Sequence, residues 1–315
     1  MSYLRAYGTK AYPVLALMWW LIAVSVAVVL IIGVLVLWGV LAKRKASVFG
    51  PLGAEDISRA PHASRWIGWG VAISTVPLVV TVVWTAAVLA AVNEPSRPAP
   101  FTIEITGHQW WWQVRYLSRD ADRTITTANE IHIPTGRPVR VLLKSGDVIH
   151  SFWIPALTGK TDTIPGRTNV SWLEADQAGI YRGQCTEYCG RQHAHMAVFV
   201  VADRPGDFTN WWNAQIAPAA QPTAPDAMSG RDLFVVKCGS CHTVRGTDAL
   251  GTVAPDLTHL MSRRTIAAGA APNSAAGLSG WIANPQGIKP GTTMPTLYLS
   301  GSELQQVRAY LETLK

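Results

Sequence analysis

Two long uncharged stretches near the N-terminus place the strongest constraint on the fold of this chain. No charged residue lies in residues 11–42 or in residues 66–93. Each stretch exceeds the roughly 20 apolar residues that a helix needs to cross a bilayer. We therefore predict an antiparallel hairpin of two transmembrane helices within residues 1–94, with helices at about residues 14–42 and 66–92.

Basic residues after the first stretch orient this hairpin. Only two acidic residues occur in the connecting loop, which contains five basic ones: Lys43, Arg44, Lys45, Arg59 and Arg65. By the positive-inside rule the loop is cytoplasmic, so both termini face the outer side of the membrane. A cleaved signal peptide is the alternative for the first stretch. That stretch is too long for one, and no small-residue cleavage site precedes the basic cluster.

The composition changes beyond Pro95. Short runs rich in Ile, Val, Thr and Trp, such as FTIEITGHQWWWQVRY and MAVFVVA, alternate with Gly, Pro and Asn. This spacing predicts an all-β sandwich or barrel in residues 95–215. Pro and Ala dominate residues 216–227, which predicts a semi-rigid linker.

The formal net charge is +7, but the basic excess lies mostly in the N-terminal third, so nucleic acid is not expected as a partner.

Residues 228–315 have the pattern of a small all-α domain. Their last predicted helix, SELQQVRAYLETL, has an apolar face made by Leu304, Val307, Tyr310 and Leu311. A capping box from Ser302 to Gln305 would begin this helix.

The same domain contains KCGSCHTV, in which Cys238, Cys241 and His242 form the C-x-x-C-H attachment sequence of c-type haem. A C-x-x-C pair alone also occurs in redox and zinc sites. However, TMPTL places Met294 beside a proline about fifty residues downstream, where it suits the second axial position. A His/Met pair raises the reduction potential, as an electron carrier requires. Because c-type haem is attached outside the cytoplasmic membrane, the motif agrees with the predicted topology.

Two neighbours of the motif bear on the axial ligands. Pro255 is placed so that its carbonyl can hold the ring of His242. His259 and Met261 are rival axial candidates, but they lie close to the attachment motif and lack the proline context of Met294. In these features residues 228–315 resemble a class I cytochrome c.

A second cluster of soft ligands occurs in CTEYCGRQHAHM, residues 185–196. A disulfide between Cys185 and Cys189 is compatible with the oxidising side of the membrane, but it would leave His193 and Met196 unexplained. Zinc would accept cysteine and histidine but has little use for a thioether. Thiolate, imidazole and methionine together favour copper.

One more histidine is then expected from another strand. GDVIHSFWIP supplies His150 between apolar neighbours. We interpret His108, His132 and His195 as surface or supporting residues.

Three motifs in order, GHQWWWQVRY, VIHSFWIP and C-x-E-x-C-G-x-x-H-x-x-M, resemble subunit II of the haem–copper respiratory oxidases. The resemblance covers about residues 10–205 and implies a cupredoxin domain that holds the binuclear copper A centre. It implies that Cys185 and Cys189 bridge two coppers, that His150, His193 and Met196 complete their coordination, and that Glu187 contributes its backbone carbonyl. The carboxylate of Glu187 would reach a magnesium ion shared with subunit I.

With the haem domain fused behind it, the chain resembles subunit II of a caa-type cytochrome c oxidase. The implied electron path runs from a donor, cytochrome c or a quinol-oxidising complex, through haem c and copper A to a haem in subunit I. Oxygen is reduced to water there and protons are pumped; subunit III is a further implied partner. Trp110 corresponds to the family's electron port into copper A, whereas Trp111 is interpreted as a packing residue. The expected location is a bacterial cytoplasmic membrane, with both redox domains on its outer side.

One feature departs from the family, which often has a glutamate near the start of the second helix. No Asp or Glu lies between Asp56 and Glu94, which leaves two alternatives: Glu55 or Asp56 substitutes from the loop, or the proton path enters through subunit I. Three other functions stay open: the electron-inlet subunit of a nitric oxide reductase, a copper or haem delivery factor, and a free electron-transfer protein.

Overall fold

The computed structural model describes residues 3–42, 63–120 and 123–315. The basic residues Lys43 to Lys45 and Arg59, on which the predicted orientation rests, lie outside the described residues, as does Asp56.

Two long apolar helices open the chain, as predicted. Helix α1 spans Ala11–Leu41 and helix α2 spans Ala63–Asn93, with 31 residues each. At 1.5 Å per residue each is roughly 45 Å long, more than the hydrocarbon core of a bilayer. By length and composition both qualify as membrane spans. Trp20 of α1 donates its indole N–H to Thr81 Oγ1 of α2 at 3.0 Å, so the two helices are joined side by side.

Ten strands form a sandwich of two five-stranded sheets, which confirms the predicted all-β domain. The first sheet has the order β3-β2-β1-β5-β8, with β1 Thr102–His108, β2 Trp111–Leu117, β3 Ile125–Ala128, β5 Val139–Ser145 and β8 Asn169–Leu173. The second has the order β4-β10-β9-β6-β7, with β4 Glu130–Pro134, β6 His150–Trp153, β7 Thr161–Thr163, β9 Gly179–Cys185 and β10 Ala197–Asp203.

Alternation of side chains builds the sandwich core. Along β2, Trp112, Val114 and Tyr116 are fully buried while the residues between them are only half-buried. This period of two is that of a strand with one face on the core. Helix α3, Pro205–Ile216, covers the sandwich with aromatic side chains. Its Trp212 meets Tyr116 edge to face at 5.5 Å between ring centroids.

The residues before α1 belong to the same compact unit as the sandwich. Residues up to Tyr12 and from Glu94 onward form one unit, and residues 13–93 form the other. Tyr7 donates its backbone N–H to the Ala156 carbonyl at 2.8 Å, and Lys10 Nζ donates to Ser171 Oγ at 2.7 Å.

The C-terminal domain is helical, as predicted. Its helices are α4 Pro225–Lys237, α5 Ala275–Ala283, α6 Pro285–Ile288 and α7 Gly301–Leu311, with a short ribbon of β11 Thr265–Ile266 and β12 Ala271–Pro272. Val307, Tyr310 and Leu311 of α7 are buried, which confirms the apolar face.

The predicted capping box of α7 is wrong by two residues. Ser300 Oγ accepts from the Glu303 N–H, and the Glu303 carboxylate accepts from the Ser300 N–H. Both Ser300 and Ser302 precede a Glu or Gln by three positions, but the helix begins at Gly301, which makes Ser300 the cap.

The Pro/Ala segment between the domains is held against the C-terminal domain. Ala219 donates its N–H to the Arg245 carbonyl at 3.0 Å. The Arg245 guanidinium in turn donates to the carbonyls of Gln215 and Ile216. These contacts restrain the segment at its beginning.

Candidate metal and haem sites

The sulfur-rich site lies at one end of the second sheet, where three neighbouring strands begin or end. His150 is the first residue of β6, and Cys185 is the last residue of β9, which pairs with both β6 and β10. Cys185 donates its N–H to the Met196 carbonyl at 3.0 Å, just before β10 begins. The antiparallel register therefore brings Cys185 next to His150, 35 positions before it in the chain, and next to Met196, 11 positions after it.

The donor atoms of this site converge on the two sulfurs. Cys185 Sγ lies 3.8 Å from Cys189 Sγ and 3.9 Å from His150 Nδ1. Cys189 Sγ lies 3.5 Å from His193 Nδ1 and 3.9 Å from Met196 Sδ. Among the described residues, the candidate metal-binding group is His150, Cys185 and Cys189, all buried, with donor atoms within 4.8 Å of one another.

The electrostatics of the site favour the deprotonated, metal-binding form of Cys185 but not of Cys189 or His150. The hydrogen bond between the two sulfurs lowers the pKa of Cys185 to about 4 and raises the pKa of Cys189, because the remaining proton is held between them. Burial lowers the pKa of His150, but hydrogen bonds to Asp147 and Cys185 outweigh burial and raise it overall.

Asp147 is a functional residue that the sequence analysis missed. Its Oδ1 lies 2.7 Å from His150 Nε2, so the imidazole turns Nδ1 toward the sulfurs. Asp147 is itself fixed, since it accepts the N–H groups of Gln109 and Val148, both at 2.6 Å. Burial raises the pKa of Asp147, but these hydrogen bonds outweigh it and hold the pKa below its usual value. A carboxylate on the far nitrogen of a ligand histidine orients the ring and increases its basicity.

The two ends of Glu187 face different partners. Its backbone carbonyl lies 3.3 Å from Cys185 Sγ, whereas its half-exposed carboxylate lies 3.5 Å from Lys160 Nζ. The carbonyl is therefore directed into the site and the carboxylate out of it.

The other three histidines of this domain have different partners. His132 Nδ1 lies 2.7 Å from Asp203 Oδ2, and the ring stacks on Trp211. His195 Nδ1 lies 2.7 Å from Gln192 Oε1. The ring of His108 stacks on Trp111 at 4.7 Å.

This donor set fits copper. The two sulfurs are unbonded at 3.8 Å, far from the roughly 2.05 Å of a disulfide. Two thiols, two imidazole nitrogens and a thioether make a soft set, and softness selects copper over zinc. Cys185, Cys189 and Met196 are almost fully buried, so a metal bound between them would be shielded from water.

The haem motif opens onto an apolar cavity of about 380 Å³ in the C-terminal domain. Cys238, Cys241, His242 and Met294 all line it. His242 Nδ1 lies 2.7 Å from the Pro255 carbonyl, which confirms the predicted contact and leaves Nε2 free for a metal. The remaining wall is mainly aliphatic and aromatic, as a porphyrin requires; it includes Phe234, Leu278, Ile282 and Val307.

Two further observations test the fit of a haem. Arg263 lines the cavity and is 8% exposed, and its Nε is buried without a hydrogen-bond partner within the described part of the chain. A haem propionate would supply that acceptor. The two rival axial candidates, His259 and Met261, do not line the cavity. Both ring nitrogens of His259 face carbonyl oxygens, those of Lys315 and Ala217.

Trp110 connects the two sites. Its indole Nε1 donates to the Cys189 carbonyl at 2.9 Å, and the same residue lines the cavity next to the haem motif. Trp111 lines the same cavity, so it does more than pack within the sandwich.

A buried soft-metal site and a covalent-haem motif, joined by one tryptophan on a chain with two membrane-spanning helices, define a membrane-bound electron-transfer protein. Comparison of the sequence with known families identifies the family of this chain. The family described as cytochrome C oxidase subunit II, periplasmic domain, matches residues 116–203, and the cytochrome c family matches residues 227–315. The chain belongs to the cytochrome c oxidase subunit II family and carries a C-terminal cytochrome c domain.

Individual relatives agree. The chain is 39% identical to cytochrome c oxidase subunit 2 of Alkalihalophilus pseudofirmus over 215 residues, which is 68% of this chain and 61% of that relative. It is 33% identical to the same subunit of Bacillus sp. (strain PS3) over 256 residues, 77% of this chain and 70% of that relative. Among solved structures, the periplasmic domain of subunit II of cytochrome oxidase of Bradyrhizobium japonicum matches with 31% identity and a TM-score of 0.36. That match covers 38% of this chain and 96% of the other.

Proposed function

We propose that this chain is the electron-inlet subunit of a proton-pumping haem–copper oxidase. Electrons enter at haem c, pass to copper A, and leave for a haem in subunit I, where oxygen is reduced to water. The contact that carries this proposal is that of Trp110, which lines the haem cavity and donates to the carbonyl of Cys189 at 2.9 Å. A residue in contact with both sites shortens the gap that an electron must cross between them.

The residues of the sulfur-rich site have separate roles in this proposal. Cys185 and Cys189 would hold a copper pair through their thiolates, and His150, His193, Met196 and the backbone carbonyl of Glu187 would supply its other ligands. When bound, the copper pair and haem c supply one-electron carriers. The chain supplies a rigid frame, since the cysteines are buried and Asp147 fixes the ring of His150. Rigid ligands keep the rearrangement on electron gain small.

The haem site has a similar division of roles. Cys238 and Cys241 would attach the haem through thioethers, and His242 and Met294 would be the ligands of its iron. The Pro255 carbonyl fixes the histidine ring. The loop that carries Met294 is fixed by Gln286 Nε2, which donates to the carbonyls of Thr292 and Met294 at 2.8 and 2.9 Å. A thioether ligand favours the reduced iron.

The partners follow from the proposed role. Subunit I accepts the electrons, subunit III completes the complex, and cytochrome c or a quinol-oxidising complex is the donor. The outward carboxylate of Glu187 is directed away from the sulfurs, as a magnesium site shared with subunit I requires. The complex lies in a bacterial cytoplasmic membrane, with the unit that holds both redox sites on its outer side.

A composition and turnover measurement on the purified complex tests this function. We expect two coppers with a mixed-valence EPR signal, one covalent haem c, and oxygen consumption that exceeds nitric oxide consumption. Zinc in place of copper would contradict the copper A assignment. Turnover with nitric oxide but not oxygen would reassign the complex as a nitric oxide reductase. Purification without a large polytopic subunit would indicate a free electron-transfer protein.

A further inference from the structure

A buried lysine joins the β-sandwich, called the copper domain below, to the C-terminal cytochrome c domain. Lys289, in the cytochrome c domain, is 2% exposed. Its Nζ donates to the Trp110 carbonyl of the copper domain at 2.6 Å and to the Ala267 carbonyl of its own domain at 3.1 Å. Burial of an amine is unfavourable unless hydrogen bonds compensate, and here it lowers the pKa of Lys289 to about 7. Lys289 is not one of the proposed copper or haem ligands. Its burial therefore requires another explanation.

The second acceptor of Lys289, the Ala267 carbonyl, belongs to a turn that packs against the copper domain. Ala267, Ala268 and Gly269 all have positive φ, at 52°, 58° and 82°. A Cβ on Gly269 would lie 2.9 Å from the Cβ of Ala197, which directly follows Met196. Only glycine allows so close an approach at this φ. The position of the Ala267 carbonyl is therefore set by contact with strand β10.

Further contacts fix the same interface. Gln192 Nε2, in the loop that also carries His193, donates to the Pro290 carbonyl at 2.7 Å. Arg264 donates its backbone N–H to the Glu130 carboxylate at 3.1 Å. Gly291 faces the ring of Trp110, from which a Cβ at that position would be 3.8 Å away. Pro290 and Gly291, which follow Lys289 in the chain, thus contact the elements that surround the sulfur-rich site.

We propose that Lys289 is a positioning residue, which docks the cytochrome c domain on the copper domain and holds Trp110 between the haem cavity and Cys189. The hydrogen bonds run from Lys289 Nζ to the Trp110 carbonyl, and from the Trp110 indole to the Cys189 carbonyl. Transfer between the two centres then occurs in one fixed geometry. The inference rests on the proposed function, because it assumes a haem in the cavity and copper at the sulfurs.

Lys289→Met tests this role, since it keeps an apolar stem of similar length and removes the donor. In the purified complex, oxidation of photoreduced haem c by copper A should slow by about tenfold or more, because small displacements of reacting groups have large effects on rate. The EPR signal of copper A and the reduction of haem c by ascorbate should be unchanged. Amide hydrogen exchange provides a second readout: residues 107–114 and 264–272 should exchange faster than in the wild type.

Two further variants complete the experiment. Lys315→Met removes an exposed lysine of the same domain and should leave both readouts at their wild-type values. Lys289→Gln retains an amide donor and should give rates between those of the wild type and Lys289→Met, even if the latter accumulates poorly. Wild-type transfer and exchange in both Lys289 variants would overturn the positioning role while leaving the proposed function intact. An altered copper A signal would also overturn it, because Lys289 would then support the copper site itself. A wild-type complex without copper A or haem c would refute the proposed function instead.

Discussion

At the scale of single residues, Asp147 decides which nitrogen of His150 faces the sulfurs. The ring of His150 is fully buried, and its two nitrogens have different partners: Asp147 at 2.7 Å on Nε2 and Cys185 at 3.9 Å on Nδ1. A carboxylate accepts a hydrogen bond, so it keeps the proton on Nε2 and leaves a lone pair on Nδ1 for a metal. The orientation is stable because two backbone N–H groups fix the carboxylate.

Asp147→Asn should therefore weaken copper binding without removing a ligand. Loss of the partner on the far nitrogen of a ligand histidine typically costs about 10- to 100-fold in metal affinity. Copper content measured against a competing chelator should show a decrease of that size. Asp162→Asn is the matched control, since Asp162 pairs with Lys160 at the surface. Equal copper affinity in both variants would show that the ring is oriented by packing alone.

At the sulfur-rich site, the sequence could predict the candidate ligands but not the residues that support them. Cys185, Cys189, His193 and Met196 occupy one segment of twelve residues, so residue type and spacing alone indicated a soft-metal site. Asp147 looked like an ordinary loop residue, because nothing in its spacing shows that it faces a histidine. Lys289 was beyond prediction, since its acceptor on Trp110 is 179 residues away in the chain.

At the scale of secondary structure, the cytochrome c domain depends on the crossing of α4 and α7. The two helices approach closely at Gly230, where a Cβ would lie 1.9 Å from the Gln306 carbonyl and 3.1 Å from the Cβ of Tyr310. The close contact places Phe234 beside Tyr310, with ring centroids 5.5 Å apart, beneath the haem cavity. The cavity wall thus relies on a glycine in the interior of a helix.

Gly230→Ala should destabilise this domain. Alanine is the better helix former by about 1 kcal/mol, but a methyl group cannot occupy the space of a backbone carbonyl, and overpacking typically costs about 1–3 kcal/mol or more. Thermal unfolding followed by circular dichroism should show a lower Tm. Gly301→Ala at the start of α7 has nothing within 4 Å of its Cβ and should not lower it. An unchanged Tm for Gly230→Ala would mean that α7 shifts freely.

Periodic patterns predicted most of these elements, and the exceptions have physical reasons. The strands and α7 were recognisable because one face of each is buried. The cap of α7 was misplaced because two overlapping segments satisfy the same motif, and only the start of the helix distinguishes them. Helix α3 was not predicted, since its apolar contacts come from three aromatic residues on the outside of the sandwich: Phe208, Trp211 and Trp212.

At the scale of the whole molecule, both redox sites lie in one compact unit, although the segment between their domains is rich in Pro and Ala. Composition alone predicted a semi-rigid spacer. The observed contacts of Ala219 and Arg245, together with the burial of Lys289, hold the two domains in one arrangement. Composition describes a free segment, whereas these contacts depend on surfaces that exist only after both domains fold.

This arrangement allows the two redox centres to be separated by one substitution. Cys189→Ser removes a soft sulfur that both proposed coppers share, so copper A should be lost. The docking contacts should persist, because Trp110 bonds to the backbone carbonyl of residue 189 and Lys289 to the backbone of Trp110. Haem attachment should also persist, since Cys238 and Cys241 lie in the other domain.

Ascorbate or donor cytochrome should then reduce haem c at the normal rate in the Cys189→Ser complex, while oxygen consumption falls to near zero. Ser240→Ala, beside the haem cysteines, is the control for a small change near a redox site and should respire normally. Copper content is measured by metal analysis, haem reduction by reduced-minus-oxidised spectra, and oxygen consumption with an oxygen electrode, all on the same preparation. If the mutant lacks copper, retains subunit I and still respires at the wild-type rate, electrons reach subunit I without copper A, and the proposed order of the two centres is wrong. Normal haem reduction with abolished respiration would instead place copper A after haem c on the route to subunit I.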